Sequence, residues 1–333
     1  MVTLSPKSDQ KVLLELKGVK KYFPIKGGIL KRVQGHVKAV ENVSLQLYEG
    51  ESLGVVGESG CGKSTLGRAI LGLEGLTEGK IHFKDSEIQD LKRKEKLKFV
   101  KEMQMIFQDP YASLNPRQRV GHALEEVFTM HTNMSAKEKR ASVLDLLNEV
   151  GLKEEHFDRY PHEFSGGQRQ RIGIARAIAL NPSFIICDEA VSALDVSVQA
   201  QVLKLLKTLQ EKYQLSYLFI SHDLGVVRYF CDRVLVMYLG NTVELGTVKD
   251  LFANPLHPYT QALLSAIPRP SVHKQTKRIR LEGDLPNPAN PPSGCPFHTR
   301  CPLAIAVCQV EKPAWQEIEP GHFAACHFAG TKI

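Results

Sequence analysis

Nine residues, Gly57-Glu58-Ser59-Gly60-Cys61-Gly62-Lys63-Ser64-Thr65, restrict what this chain can fold into. They fit the spacing G-x-x-x-x-G-K-[ST] of a phosphate-binding loop. The preceding run, Ser52-Leu53-Gly54-Val55-Val56, reads as a buried strand, and Leu66, Ala69, Ile70 and Leu73 then recur at helical spacing. A chance glycine-rich turn would not need that strand–loop–helix setting. Gly57, Gly60 and Gly62 let the backbone turn tightly and bring its N–H groups close to phosphate oxygens. The helix beginning near Gly62 aims its positive end at the same phosphates. Lys63 places an ammonium on the outer phosphates, and Ser64 offers a hydroxyl to Mg²⁺. The expectation is a nucleoside-triphosphate site.

The 333 residues allow one large domain with an appendage, or two domains. Hydrophobic (43%) and charged (24%) fractions are those of an ordinary globular protein. No run of about 18 apolar residues occurs, so no membrane span is expected. Residues 1–11 are polar and show no secretory signal. The net charge of +7 needs no reason beyond solubility, and it permits docking near an anionic membrane surface. Cys61, Cys187 and Cys231 are scattered, whereas Cys295, Cys301, Cys308 and Cys326 crowd the C-terminus. In a cytosolic chain such a crowd points to a metal site rather than a disulfide framework.

Along the chain, Val12–Leu16 alternates as a strand, and Val37–Val40 and Val43–Leu47 read as two further strands joined by a short turn, forming an antiparallel layer. Tyr22 and Phe23 are either ordinary core aromatics or a platform for a purine ring. Gly79–Phe83 reads as a strand, and the lysine-dense Leu91–Lys101 as a solvated helix face. Met103–Phe107 reads as a buried strand ending in the polar loop of Gln108, at the edge where open α/β sheets place ligand groups. From Pro116 to Val150 the pattern is helical, with Leu144, Leu147 and Val150 in phase and Ser135 as N-cap. Ser165-Gly166-Gly167-Gln168 opens a further helix, whose start is a second potential phosphate-binding surface. Phe184–Cys187 is an apolar strand ending in Asp188-Glu189, which is either a surface turn or a Mg²⁺-holding aspartate followed by a water-activating glutamate. Val196–Tyr213 reads as a helix. Tyr217–Ile220 is the next buried strand, with His222 just beyond it at the same expected sheet edge. Arg233–Tyr238 and Thr242–Glu244 complete the sheet and Pro258–Ala266 is a short helix, after which Pro286, Pro288, Pro291 and Pro292 punctuate an aperiodic segment.

Taken together, the loop at 57–65, Gln108, Ser165–Gln168, Ile185–Glu189, Ala193-Leu194-Asp195 and His222 resemble, in order, the Walker A, Q-loop, signature, Walker B, D-loop and switch histidine of ABC transporter ATPase subunits, over residues 12–255. Tyr111–Arg117, Val191–Leu203 and His257–Leu264 are similar to the ATPases of oligopeptide and dipeptide importers, with F-subunit wording around Asp195. One residue departs from the pattern: Ala190 stands where the family usually has proline, so the turn after Glu189 is less rigidly preset.

The resemblance implies an α/β fold. Residues 1–267 would be an ABC-type P-loop ATPase domain with a RecA-like core sheet, an antiparallel β-subdomain and a helical subdomain over about 109–180; residues 268–333 would be a C-terminal Pro-rich, cysteine-bearing tail. It implies that Glu189 is the general base, that His222 holds the γ-phosphate, and that Gln108 senses Mg²⁺ and the nucleophile. Ser64, Gln108 and Asp188 would serve Mg²⁺, and Phe23 would stack on adenine. Ser165, Gly166, Gly167 and Gln168 would bind ATP held by a second, homologous ATPase subunit in a head-to-tail pair. Two transmembrane permease subunits, an external peptide-binding protein, no nucleic acid and a peripheral place on the cytoplasmic face of the inner membrane complete the expectation. The alternatives are a soluble ABC ATPase acting on ribosomes or DNA, or an importer ATPase for nickel or antimicrobial peptides. In the tail, the spacing C-x₅-C-x₆-C-x₁₇-C lacks the tight pairs of structural zinc sites, and the resemblance also favours a [4Fe–4S] cluster over zinc.

Overall fold

The computed structural model describes residues 11–27, 31–89, 91, 93–109, 114–267 and 278–333. Tyr111, Ala112 and Ser113, and the boundary expected near residue 268, lie outside them. The chain opens with β1 (Val12–Gly27), β2 (Arg32–Tyr48), β3 (Ser52–Val56), α1 (Lys63–Ile70), β4 (Glu78–Phe83) and β5 (Ser86–Glu87). There follow α2 (Arg93–Glu102), β6 (Met103–Ile106), α3 (Val120–His131), α4 (Ala136–Glu149), α5 (Gly166–Ile178), β7 (Phe184–Asp188), α6 (Val196–Tyr213) and β8 (Ser216–Ile220). The last elements are α7 (Leu224–Phe230), β9 (Arg233–Tyr238), β10 (Asn241–Thr247), α8 (Val248–Ala253), α9 (Pro258–Ser265), α10 (Ala306–Val310), β11 (Gln316–Glu319) and β12 (His322–Ala324). Contacts divide the chain into two compact units, one within 1–48, 52–90 and 221–333, the other within 49–51 and 91–220.

The first unit holds an antiparallel layer in the order β2-β1-β4-β5. Its second strand is a single long one, not the expected pair joined by a turn. Asn42 takes the left-handed conformation (φ 58°) inside β2, and the β1–β2 register slips between Val19↔Val43 and Lys21↔Val40. Asparagine tolerates that conformation, so the break in the hydrophobic pattern is a bulge within a continuous strand. After α1 the phase also ends earlier than expected: Leu73 is 61% exposed, whereas Leu66, Ala69 and Ile70 are buried.

The same unit carries strands in the order β11-β12-β10-β9-β3, with β3 and β9 parallel and the other pairs antiparallel. β3 is buried throughout and β9 nearly so, which is why both read as continuous apolar runs. The tail supplies β12, which pairs with β10 through Glu244↔Ala324 and Leu245↔Phe323. Glu244 is fully buried, and its charge is compensated on every side. The Leu256 and His257 N–H groups donate to its two oxygens at 2.8 and 2.9 Å, and His322 Nε2 lies 2.8 Å from Oε1. One carboxylate thus ties β10, the start of α9 and the tail strand together.

The second unit holds β8-β7-β6 as a parallel set. Two of its helices start with reciprocal capping boxes: Ser135 with Glu138 on α4, and Ser165 with Gln168 on α5. In α4 the buried stripe is Val143 and Leu147, continued by Val150, while Leu144 is only half-buried; the expected phase was one residue off at its first position. The α3 helix packs against Phe157, and a Cβ on Gly121 would collide with that ring.

His257 is 1% exposed; its Nδ1 accepts the Tyr259 N–H at 3.0 Å, and burial pushes its imidazole down to about 4. A base with a depressed folded-state pKa contributes stability that is present above its unfolded value near 6.5 and is lost as pH falls through 4. Urea unfolding should therefore show the wild type losing about 3 kcal/mol more than His257→Asn between pH 6.5 and 4, since asparagine keeps an acceptor for the cap and does not titrate. Equal losses in both proteins would show that His257 is not the group that couples folding to acid.

Candidate active site

In the first unit the loop between β3 and α1 is held by close backbone packing. Gly57 (φ 153°) and Gly62 (φ 103°) adopt conformations open to glycine, and a Cβ there would strike the carbonyl oxygens of Met237 and Ala39 respectively. Gly240 N–H donates to Cys61 O at 2.9 Å and Glu41 N–H to Gly240 O at 2.7 Å, so β2 and the β9–β10 turn form the wall behind the loop. Lys63 is 4% exposed; its Nζ donates to Gly57 O (2.8 Å) and Glu58 O (3.0 Å) and lies 3.8 Å from Cys61 Sγ. Burial raises the Cys61 thiol, and the Lys63 charge only partly opposes that. Ser59 and Gly60 are exposed, and Ser64 and Thr65 are half-buried in the first turn of α1. That turn has no side-chain cap hydrogen bond and no acidic residue, so nothing negative from its own first turn opposes an anion at the helix start.

His222 is exposed and follows Ser221, whose N–H donates to Val55 O at 3.1 Å. The unit therefore brings His222 to the end of β3 from which the loop springs. Asp223, next along, caps α7 by accepting from the Gly225 and Val226 N–H groups. On β1, Tyr22 is committed to internal bonds: its hydroxyl donates to the Glu41 carboxylate at 2.6 Å, and Lys38 lies 5.7 Å from its ring centroid. Phe23 is half-buried, with Lys21 Nζ 4.7 Å from its ring centroid.

In the second unit the parallel register Ile106↔Cys187 brings the carboxyl ends of β6 and β7 level. Two residues past that pair on each strand, Gln108 Nε2 donates to Glu189 Oε2 at 3.0 Å. Glu189 sits in the left-handed region (φ 48°), held by its N–H to Ile220 O at 3.0 Å and by Ser192, which returns to its carbonyl. Such a conformation costs a non-glycine residue energy and is retained where the surroundings enforce it. Asp188 (4% exposed) and Ala190 (2%) are buried on either side. Ser165 and Gly166 are exposed at the start of α5, Gln168 is half-buried, and Gly167 is buried where a Cβ would strike Val198 of α6.

In the tail, Cys295 and Cys308 are buried and Cys301 and Cys326 half-buried, all as free thiols. Burial, followed by the charges of the other tail cysteines, pushes Cys295 and Cys326 up to about 11. Backbone N–H groups of Phe297 and His298 oppose that at Cys295, that of Leu303 at Cys301 and that of Phe328 at Cys326. Among the described residues no group of three or more His, Cys, Asp or Glu is placed to hold a metal ion, so the expected tail metal centre has no support from this arrangement.

Two residues that hold the loop, Tyr259 and Arg300, have roles the sequence reading did not reach; both bind Glu58, which that reading had placed in the loop. Glu58 N–H donates to the Tyr259 hydroxyl at 2.8 Å, and the Glu58 carboxylate receives Arg300 Nη1 and Nη2 at 2.7 and 3.2 Å. The only signal was the stretch around Tyr259 already noted for its resemblance; nothing in the sequence pairs Arg300 with a residue 242 positions earlier.

The ABC transporter family model matches residues 40–192, and the model of the oligopeptide/dipeptide transporter C-terminal region matches 243–308. The chain is 55% identical to the oligopeptide transport ATP-binding protein AppF of Bacillus subtilis, over 96% of this chain and 98% of that one. It is 51% identical to the dipeptide transport ATP-binding protein DppF of Haemophilus influenzae (94% and 96% covered) and 54% to the oligopeptide transport ATP-binding protein OppF of Escherichia coli (91% and 92%). Among solved structures, the ATP-binding cassette MJ0796, a dimer in a post-hydrolysis state bound to ADP and Pi, aligns with a TM-score of 0.63 at 30% identity, over 71% of this chain and 99% of that one. The loop, the switch histidine beside it, the Gln108–Glu189 pair and near full-length likeness to these relatives lead to one conclusion: this chain belongs to the oligopeptide/dipeptide transport ATP-binding proteins, the ATPase subunits of ABC transporters.

Proposed function

We propose that the chain hydrolyses ATP to power import of dipeptides or oligopeptides through a membrane complex. The observation that carries the chemistry is the Glu189 carboxylate, pinned at φ 48° and paired with the Gln108 amide at 3.0 Å. Such a carboxylate accepts a proton from the attacking water, and Gln108 orients it. The loop N–H groups and Lys63 bind the phosphates, His222 contacts the γ-phosphate, and Phe23 stacks on adenine because Tyr22 is tied to Glu41. Mg²⁺, when bound, would supply charge neutralisation at the phosphates, and Ser64, Asp188 and Gln108 would be the residues that hold or sense it.

The exposed start of α5, with Ser165 and Gly166 outward, suits the ATP of a second homologous subunit. Two permease subunits and an external peptide receptor are the partners we assign, a reading supported by the likeness to oligopeptide and dipeptide transport ATP-binding proteins. Among the described residues no helix is long and apolar enough to cross a membrane, and we assign the chain a peripheral position on the cytoplasmic face. The relatives' names favour peptide transport over ribosome or DNA work, and over nickel as cargo. The division into an ATPase domain (1–267, helical part about 109–180) and a tail (268–333) is part of the same proposal. In the reconstituted transporter, Glu189→Gln should reduce ATP turnover and peptide uptake by about 10²–10⁴-fold while ATP binding persists. Unchanged turnover would remove Glu189 from the role of base.

For the tail we infer a [4Fe–4S] cluster on Cys295, Cys301, Cys308 and Cys326. This reading rests on the sequence alone, on four soft thiol donors at the spacing C-x₅-C-x₆-C-x₁₇-C and on the family resemblance, with no support added by the arrangement of the described residues. The cluster would add a covalent cross-link to a tail that already packs Phe297, Phe323 and His322 into the first unit. Protein purified without oxygen should be brown and carry about four irons per chain. Iron-free protein, or protein with stoichiometric zinc instead, would overturn the assignment.

A further inference from the structure

The Glu58–Arg300 ion pair joins the phosphate-binding loop to the cysteine-bearing tail inside the first unit. Arg300 is 9% exposed at its side chain and Glu58 29%, so solvent screens the pair incompletely. Both terminal nitrogens of Arg300 go to the two Glu58 oxygens, and among the described residues Nε has no partner. The hydrogen bond to Glu58 is the first cause raising the Arg300 guanidinium further above its ordinary range, and the Glu58 charge is the last and smallest of the causes acting on the Cys61 thiol. Glu58 is thus felt inside the loop, where its own carbonyl accepts from Lys63 Nζ at 3.0 Å.

Arg300 reaches this position through its neighbours. Phe297, 1% exposed, packs in an aromatic group with ring centroids 5.2 Å from Tyr238, 5.4 Å from Tyr259 and 5.5 Å from His257. Arg300 N–H then donates to Phe297 O at 3.0 Å, in the single turn His298–Arg300 that lies between Cys295 and Cys301. Tyr259, from the same aromatic group, accepts the Glu58 N–H at 2.8 Å. The α9 helix and the tail therefore grip Glu58 together, Tyr259 at its backbone and Arg300 at its side chain.

A carboxylate in a loop that must receive a polyanion is unfavourable for binding, because like charges a few ångströms apart repel strongly where water is partly excluded. We infer that Arg300 is a positioning residue of the nucleotide site, supplied by the tail, which cancels the charge of Glu58 and fixes its carboxylate away from the phosphates. This rests on the reading that the loop binds ATP. Its consequence is that nucleotide affinity depends on the folding of a segment the ATPase motifs do not include.

The test uses the full chain with Mg²⁺ and fluorescent ATP and ADP analogues, with thermal unfolding as the folding control. Arg300→Gln should weaken ATP binding about tenfold and ADP binding less, because the exposed Glu58 charge acts on the phosphates in proportion to their charge. Glu58→Gln should bind ATP several-fold more tightly than wild type, since Arg300 is then an uncompensated cation. The Glu58→Gln/Arg300→Gln double variant should return to within about threefold of wild type, a rescue that a purely structural pair would not give. If Arg300→Gln fails to fold, the tightening in Glu58→Gln still decides. Wild type that binds while Arg300→Gln binds equally, a Glu58→Gln variant that binds no tighter, or a double variant no better than Arg300→Gln, would overturn the proposal alone. Wild type that binds no ATP would overturn the nucleotide reading with it.

Discussion

The close approach of two glycines to two carbonyl groups sets the rest of the first unit. Gly57 against Met237 and Gly62 against Ala39 leave no room for a side chain, so the loop lies flat on β2 and on the end of β9. On the same side the β9–β10 turn carries Gly240, whose N–H reaches Cys61 O. With the loop's back against a backbone wall, the N–H groups at the start of α1 face outward, and Lys63 anchors the inside of the turn. A phosphate site of this type is made by excluded volume on one face as much as by donors on the other.

The tail is an integral part of the unit that carries this loop. β12 extends the sheet at β10, the buried Glu244 gathers His322 with the Leu256 and His257 N–H groups, and Phe297 fills an aromatic group with Tyr238 and Tyr259. Removing one partner of a buried charge of this sort costs roughly 3–5 kcal/mol, so the tail strand and α9 are held to β10 by an interaction that fails as a whole. The same aromatic group holds Arg300 beside Glu58, and core packing and loop electrostatics are thereby linked through Phe297.

In the second unit, two separate sequence signals meet through strand register. Gln108 and Glu189 are 81 residues apart, yet β6 and β7 pair in parallel with Ile106 beside Cys187 and deliver both side chains to one edge. Parallel pairing needs a long crossover, and the helices α3, α4 and α5 occupy it. Glu189 keeps a backbone bond from its N–H to Ile220 O just past the β7–β8 pairing, takes a positive φ there, and its carboxylate accepts from Gln108.

The regular strands and helices were legible where burial is continuous or periodic: β3, β7 and β8 as unbroken apolar runs, α6 as predicted from Val196 to Tyr213, and the caps at Ser135 and Ser165 as serines placed ahead of helical runs. Errors fell where local pattern has two outcomes, as with Asn42, whose tolerance of positive φ serves a turn or a bulge equally and for which only the partner strand decides. The tail hairpin was invisible because β11 is wholly exposed and β12 has three residues, too short for alternation to register. The sequence by itself determined the phosphate-binding loop, the order of the ATPase motifs and the family, because loop chemistry demands particular residue types at fixed local spacing. Only the tertiary structure decided that Arg300 and Tyr259 grip Glu58 and that Glu244 binds His322, because those pairings join residues that are far apart in the chain and carry no periodic or spacing signal.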